Sequence, residues 1–471
     1  MEWEILLSEK RIRQLLEGKD ATKSPDERTE HGRDYDRAIF STPVRRLQDK
    51  TQVFPLDPND SVRTRLTHSL EVSNIARNMA RSIGNWLLKR KEITVNQIYS
   101  IEMIASTCGL IHDLGNPPFG HAGEEAIQDW FKKKDNDENI FKFTKDLKNG
   151  EQLKNDFLKF EGNAQTIRLI SKLQILADFC GLNLTCATMS AACKYIAHSN
   201  EITKTFHEKS KLGFFTSEQK LITNIQEETR TKDLRNPIAY IVESADDIAY
   251  SVVDIEDGIK KGIINWNNLK EKLSDEFQEA KAKYPKSDIL ETCYRGAQII
   301  VDRAQKTIPI EEKSYDNTWA QAFRIHFIIQ AAIAIEDAFK ENYQAIMNGN
   351  YHNELYKDSE AGALIEACKK VGQKYIYCAK DNLKLELMGR RVISDLMDIF
   401  WEGASIGSEK DKGFEHKIFD LTSRDYRVVY EKAIEEKKLP KKYCQMQLMT
   451  DYICGMTDTF ACTLHKRLTN G

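Results

Sequence analysis

Histidine and aspartate side chains that could share one divalent metal ion occur at three separated places in the chain. They are His68 in R-T-R-L-T-H, the pair His112-Asp113 in G-L-I-H-D-L-G-N-P-P-F-G-H, and Asp246 in S-A-D-D-I-A-Y. Two imidazoles and two carboxylates form a mixed nitrogen and oxygen shell that suits several divalent ions. Such a shell with open positions activates water against phosphate esters. The pattern therefore predicts phosphate-ester chemistry.

The spacing of apolar residues predicts a helix around each candidate ligand. His68 would share a helix face with apolar side chains. His112 would lie in the last turn of a second helix, which G-N-P-P ends. Asp246 would lie on the apolar face of a third helix, while Asp247 sits about 100° further round. We therefore expect three helices to converge on the metal ion.

Each of these features has a simpler explanation when it is taken alone. A single histidine on an apolar face, such as His68, is more often a hydrogen-bonded core residue, and His-Asp dipeptides occur by chance. An aspartate on an apolar face is different, because a buried carboxylate is costly unless it is paired or bound to a metal. The combination therefore favours a metal site.

Longer segments extend the pattern across most of the chain. They are R-R-L-Q-D-K-T-Q-V-F-P from Arg45, R-T-R-L-T-H-S-L-E-V from Arg63, G-L-I-H-D-L-G-N-P-P-F-G-H-A-G-E-E-A-I from Gly109, F-E-G-N-A-Q-T from Phe160, E-S-A-D-D-I-A-Y from Glu243 and Y-I-C-G-M-T-D-T-F-A from Tyr452. Together they resemble the bacterial deoxyguanosinetriphosphate triphosphohydrolases of the HD-domain superfamily. The resemblance implies hydrolysis of dGTP, with other dNTPs as further candidates, to deoxynucleoside and inorganic triphosphate.

The matched positions imply the metal-binding and acid–base residues. The implied metal ligands are His68, His112, Asp113 and Asp246, which agrees with the helix faces. His121 and Glu124, from F-G-H-A-G-E, would form an acid–base pair in which the carboxylate orients the imidazole. His121 would protonate the leaving 5′-oxygen or assist the nucleophile, and both roles stay open. A simpler role for Glu124 is a first-turn acid that favours the helix dipole.

Three matched positions imply contacts with the triphosphate. Arg65 would bind phosphate oxygens, for which its planar guanidinium is suited. Lys194 and Tyr195 resemble a phosphate-binding K-Y-P motif, but the third residue here is Ile196. This departure puts the local turn in doubt and leaves the two phosphate contacts as expectations.

Three further positions imply contacts with the sugar. Tyr250 and Asp254 follow Asp246 along one helix face. The resemblance implies that Tyr250 packs against the sugar, that Asp254 binds its 3′-hydroxyl and that Gln52 also contacts it. A core aromatic with a solvated hydroxyl is the simpler reading of Tyr250.

Length and pattern predict an all-α fold with an HD-domain core elaborated by further helices. The 471 residues would alone suggest about three domains. We found no Pro-, Gly- or Ser-rich linker, no sustained strand alternation, no internal repeat and no Gly-rich phosphate loop. We therefore predict a single all-α unit over 1–471, with the metal-binding core at 63–255 and a helical region at 256–471.

Composition indicates a cytoplasmic protein. The ten cysteines include no C-x-x-C pair, and the N-terminus does not read as a signal peptide. The most apolar run, from Ile325, is interrupted and shorter than the ~20 residues a bilayer requires, so no membrane span is expected. A formal net charge of −3 gives no general basicity for binding nucleic acid.

The resemblance also implies cofactors and partners. The metal would be Mg²⁺ or Mn²⁺, while Fe²⁺, Zn²⁺ and Ni²⁺ also tolerate this shell. Relatives assemble as hexamers, so a homo-oligomer is expected, and single-stranded DNA is a candidate effector. Neither the base preference nor the native metal follows from the sequence.

Two other classes of function stay open. An HD-domain nucleotidase or phosphodiesterase acting on other nucleotides would share the ligands but not the R-R-L-Q-D-K-T-Q and N-P-P-F-G-H-A-G-E segments. A non-catalytic nucleotide sensor would keep the fold while its ligands decay, whereas every ligand and both acid–base residues are present here.

Overall fold

A computed structural model of the protein describes residues 1–18, 26–56, 59, 61–307, 312–406 and 413–470. Within these residues the chain forms helices and isolated bridges but no β-strand, which confirms the predicted all-α fold. None of the described helices is both long and apolar enough to cross a membrane.

The helices of the first half include those that carry the candidate metal ligands. In chain order they are α1 (Trp3–Leu6), α2 (Ile12–Glu17), α3 (Glu30–Ile39), α4 (Thr42–Arg46), α5 (Arg65–Lys89), α6 (Val95–Ile111), α7 (Gly120–Glu138), α8 (Gly150–Leu158), α9 (Gly162–Arg168), α10 (Cys186–Ala192), α11 (Gln219–Glu228) and α12 (Pro237–Lys260).

The second half adds the helices that cover this core. They are α13 (Trp266–Lys281), α14 (Leu290–Thr307), α15 (Glu312–Asn348), α16 (Gly362–Val371), α17 (Lys380–Ile406), α18 (Phe414–Leu421), α19 (Arg424–Glu436), α20 (Lys441–Cys454) and α21 (Asp458–Thr469). Short π-helical segments, Leu169–Leu173 and Gly372–Tyr377, extend α9 and α16.

Local sequence explains where the three ligand-bearing helices begin and end. The Thr64 side chain caps α5 by accepting a hydrogen bond from the Thr67 N–H. Asn236 caps α12 in the same way, and Pro237 follows at the first helical position, where its missing N–H costs nothing. His112 lies at the C-terminal end of α6. The predicted terminal position of His112 is therefore confirmed.

Packing brings these helices together. α5 packs along α6, and α12 packs against both. Apolar side chains cover most of α6 and α12, as expected for helices that are surrounded by protein. The convergence of three helices that the periodicity predicted is thus present.

The C-terminal helices also pack against the first half. α17 packs against α7, α20 and α21. Side chains from α7, α8, α17 and α20 share one hydrophobic cluster. The helix that begins beside His121 is consequently held by the last third of the chain.

Candidate active site

Three of the predicted metal ligands lie together between α5, α6 and α12. His68, His112 and Asp246 each offer one ligand atom, and these atoms lie within 4.8 Å of one another. His68 Nε2 is 3.1 Å from Asp246 Oδ1, and His112 Nε2 is 3.6 Å from the same oxygen. This spacing is short enough for one ion to bind all three.

The hydrogen bonds of His112 orient it as a metal ligand. Its Nδ1 lies 2.7 Å from the carbonyl oxygen of Gly109. Because a carbonyl oxygen only accepts, Nδ1 must donate, which leaves the lone pair of neutral imidazole on Nε2. That Nε2 atom is buried and has no hydrogen-bond partner. A divalent ion fits this donor set, since it would satisfy the atom that the protein leaves unpaired.

Electrostatics keep the Asp246 carboxylate ionised. Burial alone would raise the pKa of Asp246, but the electrostatic effect of the His112 imidazole and the hydrogen bond from His68 lower it well below its usual range. Lys194 Nζ adds positive charge 3.7 Å from Asp246 Oδ2. An ionised carboxylate is the form that binds metal.

Asp113 lies beside this group rather than within it. Its Oδ2 is 3.5 Å from His112 Nε2 and accepts a hydrogen bond from Arg65 Nη1. Asn116 Nδ2 donates to Asp113 Oδ1 at 2.5 Å. Burial raises the pKa of Asp113, yet the positive charge of Arg65 and the electrostatic effect of the His112 imidazole outweigh it and hold the pKa at about 2. Arg65, expected on phosphate, thus pairs here with a candidate ligand.

His121 and Glu124 lie in the first turn of α7. The His121 side chain is 77% exposed, and its Nδ1 is 4.0 Å from Glu124 Oε1. No hydrogen bond or ion pair joins His121 to the three clustered ligands within the described chain. Burial, followed by the negative charge of Glu161, raises the pKa of Glu124 to about 7.

A main-chain group that the sequence did not reveal fixes Glu124. Glu124 Oε2 accepts a hydrogen bond at 2.9 Å from the N–H of Gly162, in F-E-G-N-A-Q-T. A Cβ atom at Gly162 would lie 2.2 Å from Asn116 Oδ1, so any larger residue here would displace the Asn116 side chain. The F-E-G-N segment therefore holds the Glu124 carboxylate in place. The glycine within the matched F-E-G-N-A-Q-T motif was the sequence signal that could have indicated this contact.

Lys194 lies near the ligands, and Tyr195 lies buried next to it. Lys194 Nζ is 3.7 Å from Glu243 Oε1, and Glu243 also binds Arg235 at 2.7 Å and His207 at 2.8 Å. Glu243, His207 and Glu354 form a second group of ligand atoms within 4.8 Å. The cations of Lys194 and Arg235 already pair with Glu243, so its carboxylate is less available to a metal ion than that of Asp246.

Two of the predicted sugar-binding residues, Tyr250 and Asp254, share a neighbour that the sequence did not indicate. The Tyr377 hydroxyl donates to Asp254 Oδ2 at 2.6 Å, and the rings of Tyr377 and Tyr250 lie 6.3 Å apart. Burial raises the pKa of Asp254 to about 7. Tyr377 ends a π-helical segment that no local pattern predicted.

Gln52 lies in a different segment, before α5. Its Oε1 is buried and has no hydrogen-bond partner. No hydrogen bond joins it to Tyr250 or Asp254 among the described residues.

Comparison with known proteins agrees with these motifs. The HD domain family model matches residues 65–173. The chain is 37% identical over 478 residues to a deoxyguanosinetriphosphate triphosphohydrolase-like protein of Listeria innocua, covering 99% of each chain. It is 31% identical over 483 residues to the deoxyguanosinetriphosphate triphosphohydrolase of Yersinia enterocolitica, covering 92% of each. The chain therefore belongs to the deoxyguanosinetriphosphate triphosphohydrolase family of the HD-domain superfamily.

Proposed function

We propose that the protein hydrolyses deoxynucleoside triphosphates, dGTP foremost, to the deoxynucleoside and inorganic triphosphate. The observation that carries the proposal is the group of His68, His112 and Asp246, with the lone pair of His112 Nε2 unpartnered. Cationic side chains of Lys194 and Arg65 lie next to this group, as the binding of a polyphosphate requires.

A divalent ion held by His68, His112 and Asp246, with Asp113 at its side, would polarise the α-phosphate and lower the pKa of water. Mg²⁺ and Mn²⁺ are the ions we propose. Arg65 and Lys194 would bind phosphate oxygens and balance the negative charge of the triphosphate. For Arg65 this requires that its guanidinium share its donors between Asp113 and the substrate.

His121 would move the proton in this reaction. Its exposed imidazole is free to approach the substrate, while Glu124 Oε1 lies 4.0 Å from its Nδ1. An ionised Glu124 would hold a proton on Nδ1, which leaves Nε2 to exchange a proton with the reacting oxygen. The hydrogen bond from the Gly162 N–H keeps Glu124 in place for that task.

The sugar would be bound by Gln52, Tyr250 and Asp254. The buried Gln52 Oε1 and the Asp254 carboxylate are acceptors suited to the 3′-hydroxyl, and the Tyr250 ring would pack against C2′. In the present structure the Tyr377 hydroxyl donates to Asp254, so a sugar hydroxyl would have to share or displace that bond.

The test is to incubate the protein with each dNTP and with GTP in Mg²⁺ or Mn²⁺, and to resolve the phosphate products. We expect deoxynucleoside and triphosphate, fastest with dGTP and abolished in Asp246→Ala. Release of orthophosphate or pyrophosphate from the same substrates would contradict cleavage of the bond between the 5′-oxygen and the α-phosphorus. Turnover of nucleoside monophosphates alone would instead favour the HD-domain nucleotidase class.

A further inference from the structure

The carboxylate of Asp458, at the start of α21, connects two segments that border the candidate active site. Its Oδ1 accepts a hydrogen bond from the Phe119 N–H at 3.0 Å. Its Oδ2 accepts from the Thr51 N–H at 2.9 Å and from the Thr51 hydroxyl. Asp458 is 2% exposed, so water does not compete for these bonds.

The first of these segments sets the direction of α7. Phe119 is the residue that precedes α7, and it has a left-handed backbone with φ +62°, which L-residues rarely adopt. No side chain caps this helix end. The Phe119 ring packs so closely against α17 that a Cβ at Gly389 would lie 2.5 Å from it. The hydrogen bond to Asp458 therefore stabilises the strained backbone of Phe119. The position of Phe119 in turn sets the start of α7, whose first turn contains His121.

The second segment contains the proposed substrate contacts. The Thr51 carbonyl oxygen accepts a hydrogen bond from Arg65 Nε at 2.9 Å, and Gln52 is the next residue. The neighbouring Lys50 Nζ donates to the carbonyl oxygens of Asn116 at 2.5 Å and Cys454 at 2.7 Å. Lys50 and Asp458 thus join the same segment to the turn before α7 and to the C-terminal helices.

We propose that Asp458 is a positioning residue that holds the Thr51–Gln52 segment and the start of α7 in a fixed relation. Both oxygens are used, because Phe119 donates to Oδ1 and Thr51 donates to Oδ2. An asparagine in this place has one acceptor oxygen, so its amide group would face the N–H of either Thr51 or Phe119 and leave that donor unpaired. This inference rests on the proposed function, because that function assigns Gln52 to the sugar and His121 to the proton transfer.

Asp458→Asn tests the inference, with Asp156→Asn as the matched control. Asp156 is also a fully buried carboxylate that binds a hydroxyl and a main-chain N–H, those of Tyr443 at 2.6 Å and Thr216 at 2.8 Å. Both Asp156 donors bind its Oδ2, so asparagine can keep them, and this variant controls for the change of a buried carboxylate to an amide alone. Only Asp458→Asn changes a carboxylate that binds the segments bordering the candidate active site.

In Asp458→Asn we expect kcat for dGTP to fall about 10- to 100-fold, the scale at which a small misplacement of reacting groups acts. The preference for dGTP over GTP should narrow, and the bound metal should stay at the wild-type level. Hydrogen exchange of peptides that contain Thr51 and Phe119 should become faster. Asp156→Asn should leave the kinetics and both peptides unchanged, even where it lowers the melting temperature.

Wild-type kinetics and wild-type exchange in Asp458→Asn would overturn the inference. An equal loss of kcat and of dGTP selectivity in Asp156→Asn would also overturn the inference, because general destabilisation would then explain the effect. If Asp458→Asn does not fold, Thr51→Val and Thr51→Ser take its place, and only the valine variant should lose selectivity. A wild-type protein without dNTP hydrolysis refutes the proposed function, whereas the exchange measurements still test the connection.

Discussion

Asp246 and Asp247 are neighbours in α12, but their carboxylates contact different partners. Asp246 Oδ1 lies 3.1 Å from His68 Nε2, whereas Asp247 Oδ1 accepts a hydrogen bond from Lys369 Nζ at 2.6 Å. Because an α-helix turns about 100° per residue, only one of the two can face the histidines. The facing residue is the one that helical periodicity indicated.

Asp246→Ala is expected to lose the metal ion and all turnover while the protein stays folded, because the apolar face of α12 still packs. Asp247→Ala should keep the metal and lose mainly stability, since the half-buried Lys369 would lose its carboxylate partner. Elemental analysis of both purified variants, with circular dichroism for folding, decides between them. If the Asp247 variant lost the metal and the Asp246 variant kept it, the metal ligand would be Asp247 and not Asp246.

His121→Ala is expected to bind metal at the wild-type level yet lose about 10²-fold or more in kcat, the scale for removing a general acid or base. Glu124→Ala should lose less, because Glu124 acts through His121. Steady-state kinetics with dGTP and elemental analysis give the two readouts. Near-normal kcat in His121→Ala would remove this residue from the mechanism.

Periodicity predicted the part of the site that depends on helix faces. Apolar spacing around His68, His112 and Asp246 is a local signal, and it was enough to indicate that their helices converge. The contacts of Arg65 with Asp113 and of Tyr377 with Asp254 join residues far apart in the chain, and no local pattern encodes such pairs. Their discovery required the packed structure.

Other expectations stay predictions. They are the single all-α unit over 1–471 with its core at 63–255 and helical region at 256–471, the homo-oligomer and the single-stranded DNA effector. The roles of the individual site residues likewise await the variants described here.

The rate of dGTP hydrolysis should rise with pH through about 7. Burial and then the charge of Glu161 raise the pKa of Glu124 to about 7, so below this pH Glu124 is protonated and cannot accept the proton of His121 Nδ1. Glu161→Gln removes the nearby negative charge and frees Lys211, which binds Glu161 at 3.0 Å. Both changes favour the ionised Glu124 and should lower its pKa.

The measurement is a pH profile of kcat for the wild type and Glu161→Gln, with Glu151→Gln on the exposed surface as control. The acidic limb should move to lower pH in Glu161→Gln and stay in place in the control. A limb that moves to higher pH, or one that does not move, would assign the titration to a group other than Glu124.

Tyr250→Ala is expected to narrow the preference for dGTP over GTP. Tyr250 lies one helical turn beyond Asp246, and its ring is 6.3 Å from that of Tyr377, whose hydroxyl binds Asp254. A ring packed against C2′ leaves a 2′-hydroxyl with neither space nor a hydrogen-bond partner, so GTP should be a poor substrate of the wild type. Removing the ring should weaken dGTP turnover and admit some GTP. Tyr250→Phe keeps the ring and should preserve the ratio of dGTP to GTP turnover.

The measurement is kcat/KM for both nucleotides on the wild type, Tyr250→Ala and Tyr250→Phe. An unchanged ratio in Tyr250→Ala would mean that the ring is ordinary core packing and that sugar selection lies elsewhere.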